Sequence, residues 1–78
     1  MASKTLIETI AKALVQHPDE VHVAEFDDDN SSVVELRVAR EDIGKVIGRD
    51  GRTAQHIRTL LTASAAKMGR RAHLDIMD

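Results

Sequence analysis

The stretch Ile47-Gly48-Arg49-Asp50-Gly51 stands between two segments with a helical pattern, and it predicts a tight turn bounded by glycines. Gly48 and Gly51 permit positive φ angles, and because they lack a Cβ they let another molecule's backbone approach closely. Backbone N–H groups freed by the turn and by the start of the next helix favour a bound anion, as does the helix dipole. Arg49 and Arg52 add cations beside those donors. The stretch therefore predicts a site that contacts phosphates.

The longer run around this turn resembles the signature of the KH module, Val-Ile-Gly-x-x-Gly followed by apolar residues three and six positions on. The run reads Gly44-Lys45-Val46-Ile47-Gly48-Arg49-Asp50-Gly51-Arg52-Thr53-Ala54-Gln55-His56-Ile57. It departs from the signature at Ala54, where larger aliphatic residues are common. Two other glycine-rich motifs are excluded, because Val46 stands where a dinucleotide fingerprint needs its first Gly and where a P-loop needs Ser or Thr.

Length and composition limit the chain to one small domain, residues 1–78, without cysteine chemistry. A chain of 78 residues buries only about 60% of its unfolded surface. The absence of cysteine excludes a disulfide framework, a zinc ribbon and a thiol nucleophile, and it fits a reducing compartment. No apolar run approaches the ~20 residues of a membrane span, and residues 1–20 lack the layout of a signal peptide. We expect a cytoplasmic protein.

The formal net charge of −2 argues at first against a nucleic-acid binder, since such proteins usually carry a basic patch. The distribution of charge is more informative. Residues 1–40 hold eight acidic and four basic side chains, whereas residues 41–78 hold seven basic and five acidic ones. The cations therefore gather around the turn. An acidic remainder would discourage indiscriminate binding to polyanions and leave one local positive site.

The first half of the chain predicts a helix and a β-hairpin. Apolar residues at three- and four-residue spacing predict an amphipathic helix over 3–16, which Pro18 brings to an end. Strands are predicted over 21–26 and 32–40, joined by an acidic loop that lacks the spacing of a calcium-binding EF-hand. The second strand alternates cleanly. In the first, Phe26 is out of phase with Val21 and Val23, which predicts a bulge or an early end.

The second half predicts a short helix from Glu41 or Asp42, the glycine turn, a long helix over 53–68, and a last strand over 71–77. Gly69 is the predicted end of the long helix. In the last strand Ala72, Leu74 and Ile76 are expected to face inward, and His73 and Asp75 outward. The predicted order of elements is α-β-β-α-α-β, which places the chain in the α+β class.

A helix and a strand before a core β-α-α-β unit is the type II arrangement of KH modules, so the resemblance covers the whole chain. It implies a type II KH fold, in which three helices cover a three-stranded sheet. In length, element order and turn motif the chain resembles the KhpA family of small stand-alone bacterial KH-domain proteins. That resemblance implies RNA binding, an RNA-chaperone role in post-transcriptional regulation, and a link to cell elongation, cell shape and envelope growth. It also implies a homodimer, or a heterodimer with a larger KH-containing protein of the KhpB type.

The same resemblance assigns the RNA-binding residues, because KH modules use Gly-x-x-Gly to clamp the backbone of about four single-stranded nucleotides. Amides of residues 48–52 would hold phosphates, basic side chains would neutralise them, and apolar side chains would form a floor for the bases. Asp50 introduces an anion, which either repels phosphate or pairs with Arg49 or Arg52. Phe26 is the only aromatic residue, so bases cannot stack on an aromatic platform. The predicted site is Lys45, Val46, Ile47, Gly48, Arg49, Asp50, Gly51, Arg52, Thr53, Ala54 and Ile57.

Two other kinds of function are weighed against this one. The four histidines are scattered, Gly-x-Ser-x-Gly is absent, and Asp50 has no identifiable second acid. We therefore predict no enzyme, no metal site and no cofactor. The alternative that stays open is a protein-interaction module that acts mainly by homo- or heterodimerisation and has little RNA affinity of its own.

Overall fold

The computed structural model describes residues 3–77. Every predicted element is present, with ends that differ from the expected ones by a few residues. The elements are α1 Ser3–Leu14, β1 His22–Asp28, β2 Ser31–Arg37, α2 Ile43–Ile47, α3 Arg52–Ala66 and β3 Arg71–Met77. Short 3-10 turns at Pro18–Glu20, Arg40–Asp42 and Arg49–Gly51 precede β1, α2 and α3. Within residues 3–77, none of these helices has both the length and the apolar character needed to cross a bilayer.

The three strands form one mixed sheet in the order β1-β2-β3. β1 pairs antiparallel with β2, and β2 pairs in parallel with β3, from Ser31 opposite Arg71 to Arg37 opposite Met77. α1 lies against β1 and β2, α3 lies against β3 and α1, and α2 contacts both of these helices. The core between helices and sheet consists of Ile7, Ala11, Val21, Val23, Val34, Leu36, Val46, Ile57, Leu61 and Leu74.

The prediction of a bulge or an early end in the first strand is wrong. β1 runs in unbroken register as far as Asp28, and Phe26 pairs with Val33. Phe26 is out of phase because its side chain lies on the face of the sheet opposite the core, where it is 58% exposed. The physical reason is the strand period of two: Val21 and Val23 face the helices, and Phe26 does not.

The acidic loop between β1 and β2 is tied to the segment that follows α3. Arg70 Nη2 lies 3.3 Å from Asp27 Oδ1 and 3.1 Å from both the Ser31 carbonyl and the Ser32 hydroxyl. The Ser32 hydroxyl also donates to Asp27, and this bond is the main cause that lowers the pKa of Asp27. Gly69, with φ of 69°, ends the helical region as predicted, and it brings Arg70 to the loop.

Candidate nucleic-acid interface

The backbone of the Gly-x-x-Gly turn is left-handed at three of its four positions. Gly48 has φ 78° and ψ 174°, Asp50 has 56° and 25°, and Gly51 has 73° and 12°. The predicted positive φ angles at both glycines are thus confirmed. Asp50 was not expected there, although Asp is among the few residues with a side chain that adopt this region readily. The turn reverses the chain between the end of α2 and the start of α3.

The two glycines are needed for different reasons. A Cβ on Gly48 would lie 2.6 Å from Thr53 Cβ and 2.9 Å from Thr53 N, and closer still to Thr53 Oγ1. Gly48 is therefore the point at which the turn packs against the first turn of α3. A Cβ on Gly51 would meet nothing within 4 Å. Gly51 is required by its backbone angles alone, and its outer side is open to another molecule.

The internal hydrogen bonds of the turn decide which amides remain available. The N–H of Gly48 donates to the Gly44 carbonyl over 2.9 Å, and the N–H of Gly51 donates to the Gly48 carbonyl over 3.2 Å. The N–H of Arg52 is bound to the Arg49 carbonyl. For the N–H groups of Arg49 and Asp50, residues 3–77 supply no backbone acceptor. These two adjacent donors are the ones that an anion at the turn would meet.

The charges at the turn are largely uncompensated. Within the described part of the chain, Arg49, Arg52 and Asp50 have no oppositely charged group within 4.0 Å, and all three are exposed. Asp50 therefore does not pair with either arginine, and its charge faces solvent beside theirs. Lys45 differs, because its Nζ lies 3.7 Å from Asp42 Oδ1 and forms an ion pair that partly neutralises its charge.

The predicted apolar residues divide into two groups by exposure. Val46, Ala54 and Ile57 are 0%, 2% and 3% exposed, and they belong to the packed interior. Ile47 and Thr53 are half-buried and retain accessible surface. This burial favours a supporting role for the first three, which hold α2 and α3 together behind the turn. It leaves Ile47 as the apolar side chain beside the glycines that a base could touch.

A buried carboxylate holds the start of α2, and sequence patterns did not identify it. Asp42 is 0% exposed and accepts hydrogen bonds from the backbone N–H groups of Gln16 at 3.2 Å and His17 at 3.0 Å. Burial by itself raises the pKa of Asp42, but these two N–H groups, with His17 and Lys45 nearby, outweigh it and leave the pKa below its ordinary value. The carboxylate thereby fastens the end of α1 to the helix that carries the turn.

A groove lies along α3, on the C-terminal side of the turn. A cavity of about 250 Å³ lies between α3 and β3, with Arg58, Leu61 and Thr62 on the helical side and the strand segment 72–75 on the other. β3 is an edge strand of the sheet formed by the described residues, so its outer backbone groups are unpaired by any strand. Arg58, Thr62 and His73 are not among the RNA-binding residues predicted from the sequence. The polar spacing Arg52, Gln55, Arg58 and Thr62 on one face of α3 is the pattern that could have indicated the helical side.

Known proteins match this chain over nearly its full length. The family model described as "KhpA/KhpB, KH domain" matches residues 4–76. The RNA-binding protein KhpA of Halalkalibacterium halodurans is 55% identical over 75 residues, which cover 96% of this chain and 99% of that protein. The protein of the same name from Clostridium acetobutylicum is 51% identical over 74 residues, covering 95% and 99%. These relatives are described as RNA-binding proteins and not as enzymes.

A solved structure is similar in fold. The crystal structure of Era in complex with MgGDPNP and nucleotides 1506–1542 of 16S ribosomal RNA superposes with a TM-score of 0.67 at 17% identity. The match covers 95% of this chain but only 28% of the Era chain, so it bears on the fold alone. Together with the family model it confirms the α+β, type II KH architecture predicted from the order of elements. The chain belongs to the KhpA/KhpB family of KH domains.

Proposed function

We propose that this protein binds single-stranded RNA at the Gly-x-x-Gly turn, residues 48–51, and along the groove between α3 and β3. The observation that carries the proposal is the combination of two unbonded N–H groups, at Arg49 and Asp50, with the exposed and unpaired side chains of Arg49 and Arg52. The names of the KhpA relatives support RNA as the ligand.

The phosphates would be held first at the turn and then along α3. The start of α3 adds the positive end of its helix dipole to the two free amides. Arg58 lies six residues after Arg52 on the same helix, which is about 9 Å along its axis. A strand anchored at the turn therefore passes Arg58 as it enters the groove. This geometry supports contacts to about two to four phosphates per domain, a small number for a nucleic-acid binder.

The bases would enter the groove beside the unpaired edge of β3. Among the described residues the groove is lined by no Phe, Tyr or Trp; the only ring in its wall is that of His73, and Phe26 lies on the opposite face of the sheet. Binding therefore lacks stacking on Phe, Tyr or Trp, which is worth about 1–3 kcal/mol per base. We expect weak affinity and little discrimination among sequences. A duplex keeps its bases stacked and offers only phosphates and 2′-hydroxyls, so single strands should compete better than a hairpin stem of equal length.

The decisive experiment substitutes two residues of the turn and leaves the hydrophobic core unchanged. We expect the R49D/G51D variant to lose RNA binding and remain folded, because both positions are on the surface and a Cβ on Gly51 has free space. The chain offers a control with the same change of charge, K4D/A13D, at two exposed positions of α1 that do not line the groove. Circular dichroism checks folding, and fluorescence anisotropy measures affinity. Unchanged RNA affinity in folded R49D/G51D would refute the assignment of the turn.

The salt dependence of the same titration tests how many phosphates are bound. Each phosphate contact to a single strand contributes about −0.7 to the slope of log affinity against log salt concentration. About two to four contacts therefore predict a shallow slope, near −1.4 to −2.8. A slope near −6 for a confirmed monomer would require a basic surface that the proposed site does not contain.

A second proposed function is self-association, or pairing with a KhpB-type protein. One observation favours it: α3 exposes Leu60 at 54%, beside a shallow depression of about 350 Å³ to which Ala63 and Ala66 contribute. Sedimentation of the protein and of an L60E variant, with and without RNA, tests it, since a monomeric parent protein would exclude the homodimer. The cytoplasmic location is a proposal that follows from the composition of the chain, and the RNA-chaperone role and the link to cell elongation and envelope growth are proposals that follow from the family resemblance.

A further inference from the structure

A second basic cavity lies outside the groove, at the end of the sheet where β2 and β3 finish and β1 begins. Its volume is about 340 Å³. Its polar wall consists of Arg37, Arg40 and His22 together with Glu20, and Ile43 and Met77 contribute apolar surface. Arg37 is paired across the sheet with both His22 and Met77, so the register of the strands brings these groups together. None of them belongs to the Gly-x-x-Gly turn.

The two arginines of this cavity carry uncompensated charge. In the part of the chain that the structure describes, neither Arg37 nor Arg40 has a carboxylate within 4.0 Å. Among residues 3–77, the acids near them are Glu20, which lines the cavity, and Glu41, which follows Arg40 in sequence. The carboxylates of both lie close to His17 instead, at 4.0 Å and 3.9 Å from its ring nitrogens. The arginines are therefore left to attract an anion.

The cavity is close to the turn because α2 connects them. Ile43, on the cavity wall, is the first residue of α2, and Ile47 is the last residue before Gly48. A helix of five residues is about 7.5 Å long. That length is comparable with the distance between neighbouring phosphates of an extended strand. A strand that leaves the turn on this side therefore brings its next phosphates within reach of long arginine side chains.

We propose that Arg37, Arg40 and His22 bind a phosphodiester of the same RNA strand, beyond the nucleotides held by the turn. This inference rests on the RNA-binding function proposed above and lengthens its footprint. Arginine is suited to the task, because its guanidinium group offers a planar fork of donors that matches two phosphate oxygens. The contact carries no sequence information, since it is made to the backbone. It adds affinity only to strands long enough to span both sites.

The test compares two lengths of RNA. An oligonucleotide of about four nucleotides fills the turn and the groove, and one of about eight, twice that length, also reaches the cavity. The variant R37Q/R40Q removes both cations, and K4Q/K12Q removes two cations from α1, neither of which lines the cavity. Affinity for both RNAs is measured by anisotropy at several salt concentrations. The Nε–H signals of Arg37 and Arg40 are followed by NMR in the parent protein.

We expect R37Q/R40Q to bind the short RNA as the parent protein does and the longer RNA about three- to tenfold more weakly, with a salt slope shallower by about 1. K4Q/K12Q should change both affinities by less than about twofold. The Nε–H signals should shift with the longer RNA only. Equal weakening of both lengths, or no weakening of either, overturns the cavity proposal. Free inorganic phosphate that shifts these signals as strongly as the longer RNA also overturns it, because the cavity would then be a site for a free anion.

The R49D/G51D variant separates this proposal from the one on which it rests. If the turn is the primary site, that variant loses both lengths of RNA, whatever R37Q/R40Q does. If R49D/G51D still binds the short RNA, the proposed function of the turn fails, and the cavity as an extension of it fails too. If R49D/G51D loses binding and R37Q/R40Q binds both lengths normally, only the cavity proposal fails.

Discussion

Replacing each glycine of the turn by alanine should affect stability to very different extents. In Gly51→Ala the new Cβ meets no atom within 4 Å, so only the left-handed backbone is unfavourable, at about 1–2 kcal/mol. In Gly48→Ala the backbone, with φ 78° and ψ 174°, lies in a region used almost only by glycine, at about 1–3 kcal/mol. The clash with Thr53 adds an overpacking cost of about 1–3 kcal/mol. Gly48→Ala should therefore cost about 2–6 kcal/mol.

Those costs are large compared with the total free energy of unfolding, which is roughly 4–12 kcal/mol for a chain of this size. Each kcal/mol lowers Tm by about 4–8 °C in a small domain, so Gly51→Ala stays folded at 25 °C while Gly48→Ala approaches unfolding. Thermal and urea unfolding followed by circular dichroism measure both variants. Adding Thr53→Ala to Gly48→Ala should restore only part of the loss, because Thr53 Cβ and N remain at 2.6 Å and 2.9 Å. Equal losses in the two single variants would refute this account of the turn.

Two further predictions concern carboxylates. Asp50→Asn removes a negative charge beside the proposed phosphate site, and Asn tolerates the left-handed backbone of this position. The variant should therefore bind single-stranded RNA about threefold more tightly at low salt, and the gain should be smaller at high salt. No change in a titration at two salt concentrations would mean that RNA passes far from Asp50. The pKa of Asp42 is lower in the folded protein than its unfolded value of about 3.9. The ionised carboxylate therefore stabilises the fold above about pH 3.9, and this stabilisation is lost as the pH falls from about 3.9 towards the folded pKa. In Asp42→Asn the urea midpoint should consequently fall less between pH 6 and pH 3 than in the parent protein, and parallel pH profiles would contradict the role assigned to the Gln16 and His17 N–H groups.

Sequence patterns predicted what depends on neighbouring residues. The positive φ angles of Gly48 and Gly51, the reversal of the chain at Gly69 after α3 and the inward position of Leu74 all follow from local backbone preferences or from strand alternation. The bulge predicted at Phe26 is wrong because strand alternation shows only that Phe26 lies on the other face from Val23. It does not show that the outer face of a strand tolerates a large apolar side chain. The resemblance of the turn to the KH signature implied a KH fold, and the order of elements selected its type II form, in which β2 pairs with β3.

The parts that sequence patterns did not predict depend on residues far apart in the chain. The buried carboxylate of Asp42 has its donors from Gln16 and His17, which lie 26 and 25 residues earlier. Arg58 faces the groove opposite His73, and this juxtaposition appears only when α3 has been packed against β3. The burial of Val46 and Ile57 is likewise a result of packing. The turn could therefore be recognised from its own residues, and the walls beside it could not.

The hairpin has an effect on the behaviour of the protein in concentrated solution. The sheet formed by residues 3–77 has two unpaired edges, and an open edge is a template for pairing with another chain. At the edge formed by β1, the exposed Phe26 is surrounded by Glu25, Asp27 and Asp28. Two copies aligned along β1 would bring like charges opposite one another, which is destabilising in paired strands. The acidity that lowers the net charge of the chain thus protects it against edge-to-edge aggregation.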